Sequence, residues 1–217
     1  LNKPKALNAL SLDMAKAILA QLNLWSHDDS IACVLITGEG DRAFCAGGDI
    51  QAMYHAMQQN PGKAAPETEA FFTCEYHMDY ALHQFNKPLI AWGHGVVMGG
   101  GMGIFMGCDF RVVSASSRLA MPEITIGLYP DVGASYFLNK LPNNVGRFLA
   151  LTGAITNATD SLNLHLATHH CPDAQRDALI TQLCATDWSG ERNNDSTRIE
   201  ALLKNLLPAI QVPRFAT

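Results

Sequence analysis

The chain has 217 residues, 48% hydrophobic and 16% charged, with a net charge of −5 from 15 basic and 20 acidic side chains. That length serves one large domain, or one domain plus a small appendage, with a sizeable core. No apolar run reaches the roughly 20 residues of a membrane span, and no Lys/Arg cluster makes a nucleic-acid footprint, so neither is an expected partner.

Ser11 is a good N-cap, and Met14, Ile18, Leu19 and Leu22 recur at helical spacing behind it, which predicts an amphipathic helix over 12–24. IACVLITG (31–38) is a short apolar run ending in glycine and reads as a strand buried on both faces. The Gly-rich GEGDRAFCAGGD leads from it into a helix, IQAMYHAM. Residues 58–69, rich in Pro, Gly, Lys and Glu, read as a mobile loop or lid, followed by a helix carrying Phe71, Phe72 and Glu75. The order of strand, glycine turn and helix returns in LIAWGHGVV (89–97), MGGGMG and IFMGC. A third strand is expected at 110–116, with helices around 133–140 and 143–151. The pattern is α/β with parallel strands and helical crossovers, which places ligands at the strand ends. We divide the chain into a core at 1–154 and a helical C-terminal segment at 155–217, where composition turns more polar.

The chain opens at Leu1 without an initiating methionine, as if partway through a strand-to-loop transition, and is expected to be a piece of a longer sequence. Its six cysteines (Cys33, Cys45, Cys74, Cys108, Cys171 and Cys184) form no C-x-x-C pair. Unpaired thiols suit a reducing compartment, cytoplasm or mitochondrial matrix.

Two glycine turns, AGGD (46–49) and MGGG (98–101), each follow a predicted strand. Backbone N–H groups freed of side chains can converge on one oxygen as an oxyanion hole; alternatively the glycines only permit tight packing. No phosphate-binding G-x-x-x-x-G-K-[ST], clean G-x-G-x-x-G or G-x-S-x-G is present, and HLATHH (165–170) lacks the glutamate of H-E-x-x-H, which argues against a metal site. MPEITIGLYPDVGASYF (121–137) holds two acids. Glu123, among Met121, Ile124, Ile126 and Leu128, is expected to have a raised pKa and to serve as base or nucleophile. Its bland reading is an ion pair with Arg118. Asp131 is expected at a helix start, where the dipole favours its charge, and capping alone would account for it.

NKPKALNAL, FCAGGDI, HGVVMGGGMG and MPEITIGLYPDVGASYFL, in this order over about residues 1–170, resemble the crotonase (enoyl-CoA hydratase/isomerase) superfamily. PEITIGLYPDVG, FFTCEY and LALTG…ATHH are most similar to its hydrolases of short β-hydroxyacyl-CoA thioesters. The resemblance implies a ββα spiral with a helical C-terminal part. It implies an acyl-CoA substrate whose carbonyl oxygen is held by the N–H groups of Gly48 and Gly100. Glu123 then attacks the thioester or activates water, Asp131 orients or shuttles the proton, and Glu75 contacts the acyl hydroxyl end. No metal or separate cofactor is implied, since coenzyme A is part of the substrate, and assembly as a trimer or its multiple is common in the family.

Hydratases of the family carry a glutamate where this chain has Gly103, so hydration is disfavoured. Ala134 replaces a glycine usual in the hydrolases, which also continue past residue 217. The rival readings are an isomerase or hydratase of the same family, and a non-catalytic acyl-CoA-binding module. Lys3, Lys5 and Arg42 could meet CoA phosphates or simply be solvated surface.

Overall fold

The computed structural model describes residues 1–206. Ser11 caps α1 (Leu12–Trp25) by accepting from the Met14 N–H at 3.2 Å, and Ala15 and Leu22 point into the core. Next come β1 (Val34–Thr37), β2 (Ala43–Cys45), α2 (Ile50–Gln59) and α3 (Pro66–His83). They are followed by β3 (Leu89–Gly93), β4 (Val96–Met98) and α4 (Gly100–Met106). A third turn brings β5 (Phe110–Val113), β6 (Arg118–Ala120) and α5 (Ala134–Phe137), with α6 (Val145–Thr152) behind them. The rest is α7 (Ala158–Asn163), β7 (His169–His170), α8 (Arg176–Ala185) and α9 (Arg192–Leu206). The helical C-terminal segment expected at 155–217 extends beyond residue 206, and its last residues lie outside the described ones.

The strands divide into two parallel sheets, one ordered β1-β3-β5-β7 and the other β2-β4-β6. Each turn of chain thus gives one strand to each sheet before a helix returns it. This is the expected ββα spiral. The predicted single strand over 89–97 is a β3–β4 pair, because the chain bends between the sheets at His94 and Gly95. Gly95 has φ +55°, and a Cβ there would overlap the Arg42 carbonyl oxygen, so only glycine fits the corner. Hydrophobic periodicity carries no signal for such a bend.

The run 110–116 likewise ends at Val113, where Ser114 and Ser117 close a turn (Ser117 Oγ accepts from the Ser114 N–H at 2.8 Å), and β6 begins beyond it. β1 lies at its sheet's edge and is mostly half-buried rather than covered on both faces, while β3 beside it is fully buried. The loop expected over 58–69 shrinks to 60–65, since α2 runs to Gln59 and α3 starts at Pro66, a residue suited to a first helical turn.

One face of the fold packs Phe44, Met78, Leu82, Val97, Ile104, Phe105 and Met121 into the larger core. The outer face of β3 and β5, through Ile90, Trp92, Phe110 and Val112, is covered by Leu179 and Leu183 of α8 and Ile199 and Leu203 of α9. Ala158, Leu166 and Ala167 belong to the larger core, and β7 pairs with β5. All six cysteines are free thiols, and no described helix is long and apolar enough to cross a membrane.

Candidate active site

The two glycine turns leave β2 and β4, neighbours in one sheet, so register alone sets them side by side. Gly47 (φ +101°) and Gly99 (φ +52°) adopt backbone that L side chains avoid, and Cβ atoms on them would stand 3.6 Å and 3.5 Å from the opposing Cα. A Cβ on Gly100 would stand 3.5 Å from the Gly48 nitrogen. The turns converge. At Gly48 the chain bridges to Leu10: the Leu10 N–H donates to the Gly47 oxygen at 2.8 Å and the Asp49 N–H to the Leu10 oxygen at 2.9 Å. In extended backbone that alternation turns the N–H of Gly48 to the opposite side. Gly100 is the first residue of α4, so its N–H has no partner within the helix.

Three carboxyls approach this place. Glu123 begins a 3₁₀ turn (Glu123–Ile126), is 6% exposed, and sets its Oε1 3.2 Å from where a Gly99 Cβ would be. Burial pushes its pKa up to about 7, with the Asp131 charge adding to the effect, and its Oε2 is buried without a hydrogen bond. The ion pair with Arg118 does not form, since that guanidinium bonds the Ala115 and Ser117 carbonyls at 3.2 and 2.7 Å.

Glu75 is 2% exposed on the inward stripe of α3, between Phe71 and Met78. A Cβ on Gly100 would overlap its Oε1, so the bare glycine is what admits this carboxyl to the turn. Its pKa is driven up to about 8, by burial first and then by the charges of Asp79, Asp131 and Glu123.

Asp131 is half-buried and does not cap the following helix, contrary to its bland reading. The N-cap of α5 is Gly133, in left-handed backbone with no side-chain bond, because the chain turns through Val132 and Gly133 first. The Asp131 Oδ2 instead accepts from the Tyr76 hydroxyl at 2.7 Å.

Two neighbours escaped the sequence reading. Tyr76 is one. Asp79, one helical turn after Glu75, is the other: its oxygens, buried and unbonded, lie 3.0 and 3.1 Å from where a Gly103 Cβ would be. Burial, then Asp131, pushes its pKa up to about 8. The i, i+4 pairing of acids on α3 was the available signal. Beyond Tyr76, Asp79, Gly103 and Val132 opens a cavity of about 800 Å³, which continues past Met106 and Tyr136 and does not reach Glu123 or Glu75. Lys3 is held by Asp49, the N-cap of α2, at 2.6 Å, while Lys5 and Arg42 are exposed. His169 pairs with Glu200 at 3.0 Å, not with His165.

A ββα spiral whose adjacent strand ends present two glycine turns beside buried carboxyls defines the crotonase class of fold. The chain belongs to the enoyl-CoA hydratase/isomerase family, whose model matches residues 1–214. It is 42% identical over 200 residues to the mitochondrial 3-hydroxyisobutyryl-CoA hydrolase of Homo sapiens, covering 92% of this chain and 50% of that protein. With the enzyme of the same name from Xenopus tropicalis it shares 42% over 194 residues, 89% of this chain and 49% of that one. The chain therefore spans about half the length of the curated relatives it matches. Among solved structures it resembles a carnitinyl-CoA dehydratase from Mycobacterium thermoresistibile at TM-score 0.84 and 34% identity, over 98% of this chain and 59% of that one.

Proposed function

We propose that this protein hydrolyses the thioester of a short β-hydroxyacyl-CoA, with 3-hydroxyisobutyryl-CoA as the first substrate to try. The observation that carries the reading is the meeting of the Gly48 and Gly100 turns beside Glu123, an arrangement that serves both a developing oxyanion and an attacking base. The N–H groups of Gly48 and Gly100 hold the carbonyl oxygen as it gains negative charge, where one preorganised donor is worth on the order of 10²–10³ in rate. Glu123 attacks the carbonyl or draws a proton from the attacking water, and the carbon–sulfur bond breaks to release coenzyme A as the thiol. Asp131 orients or shuttles the proton, and Glu75 lies toward the acyl hydroxyl end. Oxygen from one water ends in the hydroxy acid.

The names of the relatives support this substrate, and the curated animal relatives are called mitochondrial, which favours the matrix over the cytoplasm for this chain. Oligomerisation as a trimer or its multiple stays part of the proposal. Gly103 weighs against hydration, because the position offers no second acid of its own.

The test is release of free thiol from 3-hydroxyisobutyryl-CoA, with crotonyl-CoA hydration measured in parallel. Glu123→Gln is expected to lower thiol release by at least about 10²-fold, the usual scale for a lost general base. Equal rates in wild type and variant, or crotonyl-CoA turnover exceeding thioester cleavage, refute the assignment.

A further inference from the structure

Asp131 stands on a segment that provides little support of its own. It follows Pro130, precedes Val132 and Gly133 with φ of +41° and +83°, and belongs to no helix or strand. A β-branched residue such as Val132 rarely takes that backbone, and here its buried side chain fills the space left open by Gly103 of α4. That packing anchors the backbone beside Asp131. What restrains the carboxyl is the Tyr76 hydroxyl, donated to Oδ2 at 2.7 Å from α3.

Tyr76 adjoins Glu75, so one helix turn delivers an acid to the glycine turns and a donor to the second acid. The tyrosine ring is itself held, its centroid 5.8 Å from that of Phe72. Burial and the adjacent carboxylate push the phenol pKa up, so the hydroxyl remains the donor.

We propose that Tyr76 is a positioning residue for the hydrolysis: its hydroxyl fixes the Asp131 carboxyl at the angle from which that group handles the proton, and it affects turnover only through Asp131. This rests on the hydrolase reading. It also explains why a tyrosine that is 42% exposed points its hydroxyl back at an acid rather than into water.

The experiment is a double-mutant cycle on 3-hydroxyisobutyryl-CoA with wild type, Tyr76→Phe, Asp131→Asn and the double variant, using single-turnover assays sensitive enough to follow the slowest. Phenylalanine keeps the ring packing and removes only the donor. Tyr76→Phe is expected to lower kcat on the order of tenfold, the scale of one hydrogen bond to a charged group, with KM within about twofold. The double variant is expected to be no slower than Asp131→Asn, since a residue acting through another has nothing left to act on. Multiplying losses in the double variant, an unchanged kcat in Tyr76→Phe, or a loss confined to KM would each overturn the inference. If Asp131→Asn alone leaves kcat unchanged, the role given to Asp131 falls and the inference falls with it; a loss in Asp131→Asn without one in Tyr76→Phe sinks the inference alone.

Discussion

Glu123 and Glu75 occupy positions where packing would favour an apolar side chain, and their charged forms are disfavoured for that reason. A base must be ionised to work, so thioester cleavage is expected to rise with pH through an apparent pKa near 7 in kcat/KM, the value burial gives Glu123. Because Glu75 and Asp131 act on the same charges, that midpoint belongs to the cluster rather than to one residue. The same environment yields a second, opposite effect. Glu123→Gln removes a carboxylate whose Oε2 has no partner, and the variant's gain in melting temperature over wild type should grow as the pH rises above 4.5 and be complete at about 7. A slower enzyme that is also more stable separates a catalytic group from a structural one, and differential scanning calorimetry alongside the rate assay reads both. Glu123 was legible in the sequence because a lone acid interrupts an apolar run. Asp131 was legible as a residue but not in its contacts, since the partner that holds it, Tyr76, is 55 positions away on another helix.

At the scale of elements, the site depends on how closely α4 approaches β2. A Cβ on Gly101 would overlap the Cys45 carbonyl oxygen and stand 2.8 Å from the Cys45 Cβ, and the carbonyl is backbone that cannot swing aside. Gly101→Ala is therefore expected to push α4 from β2, at about 1–3 kcal/mol of stability, the usual scale of overpacking. It should also separate the N–H groups of Gly48 and Gly100 and lower kcat more than it raises KM. Chemical denaturation gives the first quantity and steady-state kinetics the second; a variant of wild-type stability and turnover would show that the close approach is not required. Helices with caps and amphipathic faces, such as α1 behind Ser11, were readable to within a residue or two. The short strands β2, β6 and β7 were not, because two or three residues are too few for periodicity, and β7 lies in a histidine-rich stretch that suggests ligands first. The bend at Gly95 was hidden for a related reason: both strands it separates are apolar, so their run looks continuous.

For the whole molecule, the carboxyls gathered at the turns make folding stability depend on pH in a direction opposite to that of most proteins' acids. Glu75, Asp79 and Glu123 have pKa values raised from 4.5, 3.8 and 4.5 to about 8, 8 and 7, burial being the first cause in each case. The folded chain thus holds protons that the unfolded chain has released, and unfolding gives them up between those limits. Since stability changes with pH in proportion to the protons bound by the unfolded state minus those bound by the folded state, it falls as pH rises through this window. Below the unfolded values all three are protonated in both states and their contribution is fully present. Asp49, whose carboxyl the Lys3 hydrogen bond holds below its usual range, acts in the opposite sense, with its contribution lost as the pH falls through that lowered value. A carboxyl whose folded and unfolded pKa values differ by one contributes about 1.4 kcal/mol, and in a chain of this size 1 kcal/mol moves Tm by about 2–4 °C. Asp79→Asn keeps the shape and abolishes the titration, so it is expected to melt several degrees above wild type near pH 8 and together with it near pH 4, the ends of that residue's window. Melting curves across the range decide the matter: a wild-type Tm that climbs from the acid end to neutrality, or an Asp79→Asn curve parallel to it, would mean that these acids keep their charges in the folded state and find partners that the packing around Gly103 does not provide.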